Sequence, residues 1–520
     1  LKLKLVLLLG ILCFIQPVAA QDDLPWWNDR VFYEIFVRSF YDSDGDGIGD
    51  LQGVIEKLDY LNDGDPTTTT DLGITGIWLM PIMQSPSYHG YDVTDYRQVE
   101  VDYGTNEDFR RLMEEAHARG IAVVIDLVIN HSSAQHPWFE ASAGENPHYV
   151  DWYVWAEDDP GYRGPSRQQV WHARAGRYYY GVFWDQMPDF NLTNPEVTAE
   201  LEGIARYWLD EMDADGFRVD AVKHLIEEGE EQENTESTMA WMEGFHRSID
   251  AVDPDALVVG EIWSTNFIAS RYVPNAADIV FDFDLATAFL SSVQQGRPDG
   301  ARSLLNRALD LYPFGQYASF LTNHDQNRVM TQLRGDVDAA KVAASLLLTT
   351  PGVPFIYYGE EIGMTGQKPD ELIRTPMQWD DTEDTAGFTT GRPWQPLAQS
   401  TVNVAAQTDD ENSLLSHYRA LIQLRNQHAA LRTGAYVPLE AGSRQVFAFL
   451  RQTDDETLLV VINLDDRAVE EYGIVLDGLP GATETLYSTH EVDELIAGAD
   501  GFYRLSEMLP ARSTFIFRLS

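Results

Sequence analysis

Residues 215–224 read DGFRVDAVKH. A short apolar run, Gly216–Val219, carries Arg218 inside it and is followed at once by Asp220, Lys223 and His224. Charges this dense at the exit of a buried strand are costly unless they pair or take part in chemistry. A structural Arg–Asp ion pair in a loop accounts for the stretch taken alone. It does not account for three further segments built the same way: DLVINH (Asp126–His131), VVGEIW (Val258–Trp263) and FLTNHD (Phe320–Asp325). Each joins an apolar run to acidic or His residues at its end.

Outward from these segments, apolar runs alternate with amphipathic stretches. Strands are expected at Val31–Val37, Ile74–Met80, Ile121–Ile129, Gly216–Val219, Ala256–Val259, Ile279–Phe283, Ala318–Leu321 and Val353–Tyr358. Helices are expected at Gly53–Leu61, Glu107–Arg119, Glu196–Met212, Ser237–Val252, Asp338–Leu348 and Leu414–Gln427. About eight β–α alternations predict an α/β chain folded as a parallel (β/α)8 TIM barrel, whose strand ends converge on one face. Two segments break the pattern. Residues 131–192, rich in Trp, Tyr, Gly and Pro, read as an excursion domain between strand 3 and helix 3, which divides the barrel into 21–130 and 193–432. From 433 to 520 short alternating runs such as TLLVVINL predict an antiparallel β-sandwich.

Bulk properties narrow the function. The 520 residues carry a formal net charge of −47, with six Lys against 30 Arg. Phosphate would be repelled, which excludes nucleic acid as a partner. The excess of carboxylates repels itself at low salt and is screened in brine, so a halophilic setting is expected. The start, LKLKLVLLLGILCFIQPVAA, has a basic n-region, an apolar stretch Leu5–Ile15 and small residues at Val18–Ala20. It reads as a signal peptide over residues 1–20, too short to span a membrane comfortably, and predicts a secreted or periplasmic monomer with no stable membrane insertion. The single cysteine, Cys13, lies inside it, so cleavage after Ala20 would leave neither disulfides nor cysteine chemistry.

Asp220, Glu261 and Asp325 bring three carboxylates to the strand ends, with Arg218, His131 and His324 around them. No GxSxG elbow and no P-loop is present. Carboxylates without a nucleophilic Ser or Cys point to glycoside cleavage, in which one attacks the anomeric carbon and another protonates the leaving oxygen. Arg218, two residues before Asp220, is expected on the same side of the strand, where it would hold Asp220 ionised.

DSDGDGIGD (Asp42–Asp50) places Asp42, Asp44 and Asp46 at positions 1, 3 and 5 of an EF-hand-like loop, the Ile48 carbonyl at 7 and Asp50 at 9. Position 12 is Gly53 rather than a bidentate Glu, so the loop is not a full EF-hand, but its oxygen donors predict calcium.

The four strand-end segments, in this order, resemble the conserved regions of glycoside hydrolase family 13, the α-amylase family. GIWLMPI (Gly76–Ile82), MPDFNL (Met187–Leu192) and GVPFIYYGEE (Gly352–Glu361) match its accessory regions. The resemblance extends over nearly the whole chain from Trp26. It implies a retaining mechanism with Asp220 as nucleophile, Glu261 as general acid/base and Asp325 as transition-state stabiliser. It puts His131, Arg218 and His324 around the attacked glucose, with Tyr91 as its aromatic platform and His89 beside it. Lys223 and His224 fall on the leaving-group side, as in α-amylases. Asn130, Asp189 and the His224 carbonyl match ligands of a second calcium. RTPMQWD (Arg374–Asp380), however, resembles the oligo-1,6-glucosidase branch. The mixture is similar to the intermediary subfamily 36. The implied activity is an α-amylase hydrolysing internal α-1,4 bonds of α-glucan and maltooligosaccharides, with some transglycosylation. The alternatives are an exo-acting α-glucosidase or oligo-1,6-glucosidase, and a trehalose synthase-type isomerase.

Overall fold

A computed structural model describes residues 24–398, 402–476, 483–491, 495–498, 502–505 and 508–519. The signal-peptide reading falls outside the described residues. Eight strands form a closed barrel: β1 (Phe32–Ile35), β2 (Gly76–Leu79), β3 (Ala122–Leu127), β4 (Gly216–Val219), β5 (Leu257–Gly260), β6 (Ile279–Phe281), β7 (Tyr317–Phe320) and β8 (Val353–Tyr357). Every neighbouring pair, including β8 with β1, is parallel. The strands lie within the predicted runs apart from single-residue shifts, and each is fully buried.

An aromatic plug fills the barrel. Phe32 stacks on Phe355 at 4.6 Å, and Phe281 packs between Phe355 and Trp78. Trp78 carries the His324 ring at 5.6 Å and the Arg218 guanidinium at 5.1 Å, so the plug is the floor of whatever lies above it. At the start of β4, Gly216 has φ +147°, and a Cβ there would lie 2.1 Å from the Leu257 carbonyl oxygen. Only glycine lets β4 lie this close to β5.

The predicted helices form with shifts of at most two residues at their ends, except for one that is broken, and further helices join them. The helix expected over Gly53–Leu61 is broken at Lys57 into Leu51–Glu56 and Leu58–Leu61. Among the helices that the sequence reading did not propose, the two longest, Phe283–Gln295 and Asp299–Leu311, pack together after β6. Between β3 and the helix Pro195–Asp210 lie a short helix, Pro137–Ala143, and a three-stranded antiparallel sheet of Trp155–Ala156, Arg177–Tyr180 and Trp171–Arg174.

The C-terminal part is a five-stranded antiparallel sheet in the order Ala435–Leu439, Val446–Gln452, Thr457–Asn463, Ser513–Leu519, Thr483–Ser488. One face, with Phe447, Phe449, Val460 and Ile516, joins the barrel core. The other packs under Leu495 and Leu505 of a two-stranded hairpin, an unequal sandwich. Two fully buried arginines meet where the sheet joins the barrel, and Arg451 links sheet to barrel. Arg425, on the helix Leu414–Gln427, donates to the carbonyls of Leu348, Thr350 and Gly352, and Arg451 to those of Thr349 and Gly434. The Leu348, Thr349, Thr350 and Gly352 carbonyls lie at and just past the C-terminal end of the helix Val337–Thr349, where the helix dipole favours positive charge.

Candidate active site

Strand β4 delivers the centre of the site. Arg218 sits opposite Asp126 of β3 in the ladder. Its Nη1 lies 2.7 and 2.9 Å from the two Asp126 oxygens and 2.9 Å from Asp220 Oδ1, and its Nη2 lies 2.8 Å from Glu261 Oε2. One guanidinium therefore serves three carboxylates from three strand ends. Just after Asp220 the chain turns through Ala221, a non-glycine residue at φ +52°. That conformation costs on the order of 1 kcal/mol, and it aims the Ala221 N–H at Glu261 Oε2, 3.0 Å away.

The expectation that Arg218 holds Asp220 ionised needs correcting. The contact is made, but the charge is divided. Burial pushes the Asp220 pKa well above the carboxylate range; Arg218 opposes this, while Glu261, Asp126 and Asp325 reinforce it. Burial is thus the larger influence on Asp220, and the Arg218 contact offsets only part of it.

Across from this triplet, Asp325 Oδ1 lies 2.9 Å from Arg374 Nη2, and Asp325 Oδ2 lies 3.2 Å from His324 Nε2. The His324 ring is pinned between carboxylates, with Nδ1 2.5 Å from Glu34 Oε1. Burial lowers its pKa, but Asp325 and Glu34 outweigh it and raise it to about 9. Burial also works against the Asp325 charge, yet His324, Arg374 and Lys368 hold its pKa well below the usual value. The two acidic centres thus sit in different fields: Asp325 faces His324, Arg374 and Lys368, whereas Asp220 shares the single Arg218 charge with Asp126 and Glu261. Environments that drive carboxyl pKa values apart mark acid–base chemistry.

Tyr91 stacks on His324 at 5.7 Å, its hydroxyl 2.7 Å from His324 Nε2 and 3.0 Å from Asp126 Oδ2. His89 Nδ1 accepts the Tyr91 N–H at 3.1 Å. His131 is buried, its Nε2 has no hydrogen-bond partner among the described residues, and burial lowers its pKa to about 3, so it is neutral. Lys223 Nζ lies 2.5 Å from Glu233 Oε1, and His224 Nδ1 lies 3.0 Å from the Gln232 carbonyl.

These groups border a cleft of about 750 Å³. Of the residues singled out in the sequence, His89, Tyr91, His131, Asp220, Lys223, His224, Glu261 and Asp325 line it, while Arg218 and His324 lie beneath. Sequence reasoning missed several contributors. Asp126 and Glu34 are carboxylates inside apolar runs (AVVIDL and FYEI), where a buried charge signals a partner. Arg374, Lys368 and Asp370 come from the loop after β8. Phe183, Trp184 and Trp263 are aromatic wall residues at least 40% exposed, and no pattern distinguishes them from core aromatics.

The Asp42–Asp50 loop lies apart from the cleft lining. Carboxylate oxygens of Asp42, Asp44 and Asp50 converge within 4.8 Å of one another, a hard-oxygen set that fits a hard cation. Asp46 stands outside this group, its Oδ1 accepting the Ile48 N–H at 2.8 Å. Asp42 Oδ2 accepts the Gly47 N–H at 2.7 Å and is bonded by the Thr389 hydroxyl, while the Trp394 N–H reaches the Gly47 carbonyl at 2.9 Å. The loop is thus fastened to the segment that follows RTPMQWD.

At the second predicted cation site, Asn130 Oδ1 and Asp189 Oδ2 are buried and have no hydrogen-bond partner among the described residues, and the same holds for Glu227 Oε1. Burial and then Glu227 raise the Asp189 pKa well above normal, and burial raises Glu227 to about 7. Three orphaned oxygens fit a cation, and Glu227 supplies a donor that spacing alone could not identify.

A family model, the α-amylase catalytic domain, matches residues 34–434. The chain belongs to the α-amylase family. It is 38% identical to alpha-amylase 3 of Dictyoglomus thermophilum over 472 residues, covering 89% of this chain and 90% of that protein. It is 32% identical to the oligo-1,6-glucosidase of Parageobacillus thermoglucosidasius, covering 90% of this chain and 95% of that one. Among solved structures, the α-amylase from H. orenii superposes with a TM-score of 0.86 at 43% identity, over 94% of this chain and 99% of that one. The chain is thus a glycoside hydrolase of family 13, similar both to α-amylases and to oligo-1,6-glucosidases.

Proposed function

We propose that this protein is a secreted, retaining α-amylase that cuts internal α-1,4 bonds of starch and maltooligosaccharides. One observation carries the reading. The cleft that holds Asp220 and Glu261 is also lined by Lys223, His224, Phe183, Trp184 and Trp263, which would offer donors and ring faces to sugars on the leaving-group side.

Asp220 attacks the anomeric carbon, and Glu261 gives its proton to the departing oxygen. Water, or a sugar hydroxyl in transglycosylation, then displaces Asp220 while Glu261 takes the proton back. Retaining pairs sit about 5–5.5 Å apart and inverting pairs about 6.5–9.5 Å. Carboxylates sharing one guanidinium, as Asp220 and Glu261 share Arg218, suit the shorter separation. Asp325, kept charged by His324 and Arg374, grips the ring hydroxyls as positive charge develops on the sugar, and neutral His131 offers a hydrogen bond without competing charge.

Calcium is the cation we propose for both oxygen sites. Asp42, Asp44 and Asp50 would hold one ion, Asn130, Asp189 and Glu227 the other. Bound there, calcium would neutralise carboxylates and stiffen the loops it bridges.

A second reading, an exo-acting α-glucosidase or oligo-1,6-glucosidase, is favoured by the donor end, where Asp370, Lys368 and Arg374 form a cluster of ion pairs beside Asp325. A maltoheptaoside blocked at its non-reducing end separates the two. An endo-enzyme cleaves it and releases maltose and larger products early from starch. If the blocked substrate survives while maltose or isomaltose is hydrolysed rapidly, the exo reading replaces ours. Conversion of maltose to trehalose with little glucose would identify an isomerase.

A further inference from the structure

Glu233 does not line the cleft, yet its Oε1 lies 2.5 Å from Lys223 Nζ and 3.7 Å from His224 Nε2, so a single carboxylate oxygen faces both the ammonium and the imidazole of the leaving-group side. The strap that carries Glu233 is fixed at several points. The Asn234 N–H donates to the Lys223 carbonyl at 2.7 Å, with Asn234 in the left-handed conformation at φ +56°. The Tyr272 hydroxyl donates to Asn234 Oδ1 at 3.1 Å. Gln232, 7% exposed, accepts from the Tyr180 hydroxyl at 2.7 Å and donates to the Arg163 carbonyl at 2.9 Å, both in the excursion segment. The Gln232 carbonyl lies 3.0 Å from His224 Nδ1. The strap is therefore anchored to the excursion segment on one side and grips Lys223 and His224 on the other.

We propose that Glu233 is a positioning residue that fixes the Lys223 ammonium for sugars bound beyond the scissile bond, and so sets the preference for long chains. The inference rests on the leaving-group reading of Lys223 given above. A free lysine samples many rotamers, and ordering it on substrate binding opposes affinity. Held by Glu233, it is ordered before the chain arrives. The effect should appear in KM for long substrates rather than in the chemical step.

The test is a double-mutant cycle of E233Q and K223A, read on the blocked maltoheptaoside and on an aryl α-maltoside, whose leaving group carries no sugar beyond the cut. E233Q should raise KM for the heptaoside about threefold to fivefold, the range of a partly exposed ion pair, with kcat within about a factor of two. It should leave the aryl maltoside within about a factor of two. E233D, which retains the charge, should recover part of the loss. In the K223A background E233Q should add nothing further. If E233Q costs as much without Lys223 as with it, or slows both substrates equally, Glu233 does not act through Lys223. If K223A impairs the heptaoside while E233Q is silent, the positioning role alone fails. If K223A is silent, the leaving-group reading fails and the inference falls with it.

Discussion

Arg218 is the residue on which the acid–base assignments turn, because three carboxylates draw on its one charge. Glu261→Gln preserves side-chain shape and removes the transferable proton. It should lower kcat at least about a thousandfold, near the upper part of the range for general acid–base catalysis, with the fold intact. Near wild-type turnover in a clean preparation would reject the assignment. His324 provides a second test. Its folded pKa, about 9, lies above the ordinary histidine value of 6.5 because Asp325 and Glu34 outweigh burial. A raised histidine stabilises the fold fully below the unfolded pKa and ceases to do so as pH rises through the folded one. The melting temperature should therefore fall between about pH 6.5 and 9, and His324→Gln should flatten that slope. An unchanged slope in the variant would assign the pH dependence to other groups.

At the level of strands, helices and loops, what the sequence made legible follows burial. All eight barrel strands stood out as apolar runs, because a parallel strand covered on both faces needs no polar alternation. The carboxylates at their ends stood out for the same reason, as charges where none is affordable without a partner. Helices Phe283–Gln295 and Asp299–Leu311 did not stand out. The first follows β6 after a single residue, Asp282, and its Phe283, Leu285, Ala286, Phe289 and Leu290 merge with the strand's own run. Loop residues were the least legible: Arg374 reaches Asp325 across 49 positions, and Glu227 meets Asp189 across 38, separations that no local pattern encodes. The loops also carry the metal prediction. Chelation should lower the melting temperature and calcium should restore it, since a ligand of the folded state stabilises it by mass action. Asp50 caps the helix Leu51–Glu56 and Asp42 braces its own loop, so Asp44→Ala is the cleanest probe of the first site. It should blunt the calcium response, and adding Asp189→Asn should remove most of what remains. A double variant that answers calcium like the wild type would rule out both sites.

Over the whole molecule the net charge of −47 dominates the field. The ion pairs around Lys and Arg use only part of 83 acidic residues, and the remainder repel one another in dilute buffer. Raising NaCl from dilute to molar should increase the melting temperature and preserve activity, because screening weakens long-range repulsion between exposed charges more than contacts in the buried site. A steady fall over the same range would refute the brine-adapted reading. The C-terminal sheet bears on the molecule in another way. Arg451 reaches from that sheet to the Thr349 carbonyl of the barrel, while Arg425 of the barrel's last long helix caps the same carbonyl group cluster. The change of pattern at residue 433 is therefore a border in the sequence but not a seam in the solid. Exchanging the sheet for a relative's would transplant half of a joint, and a chimera would have to inherit Arg451 together with the carbonyls it closes.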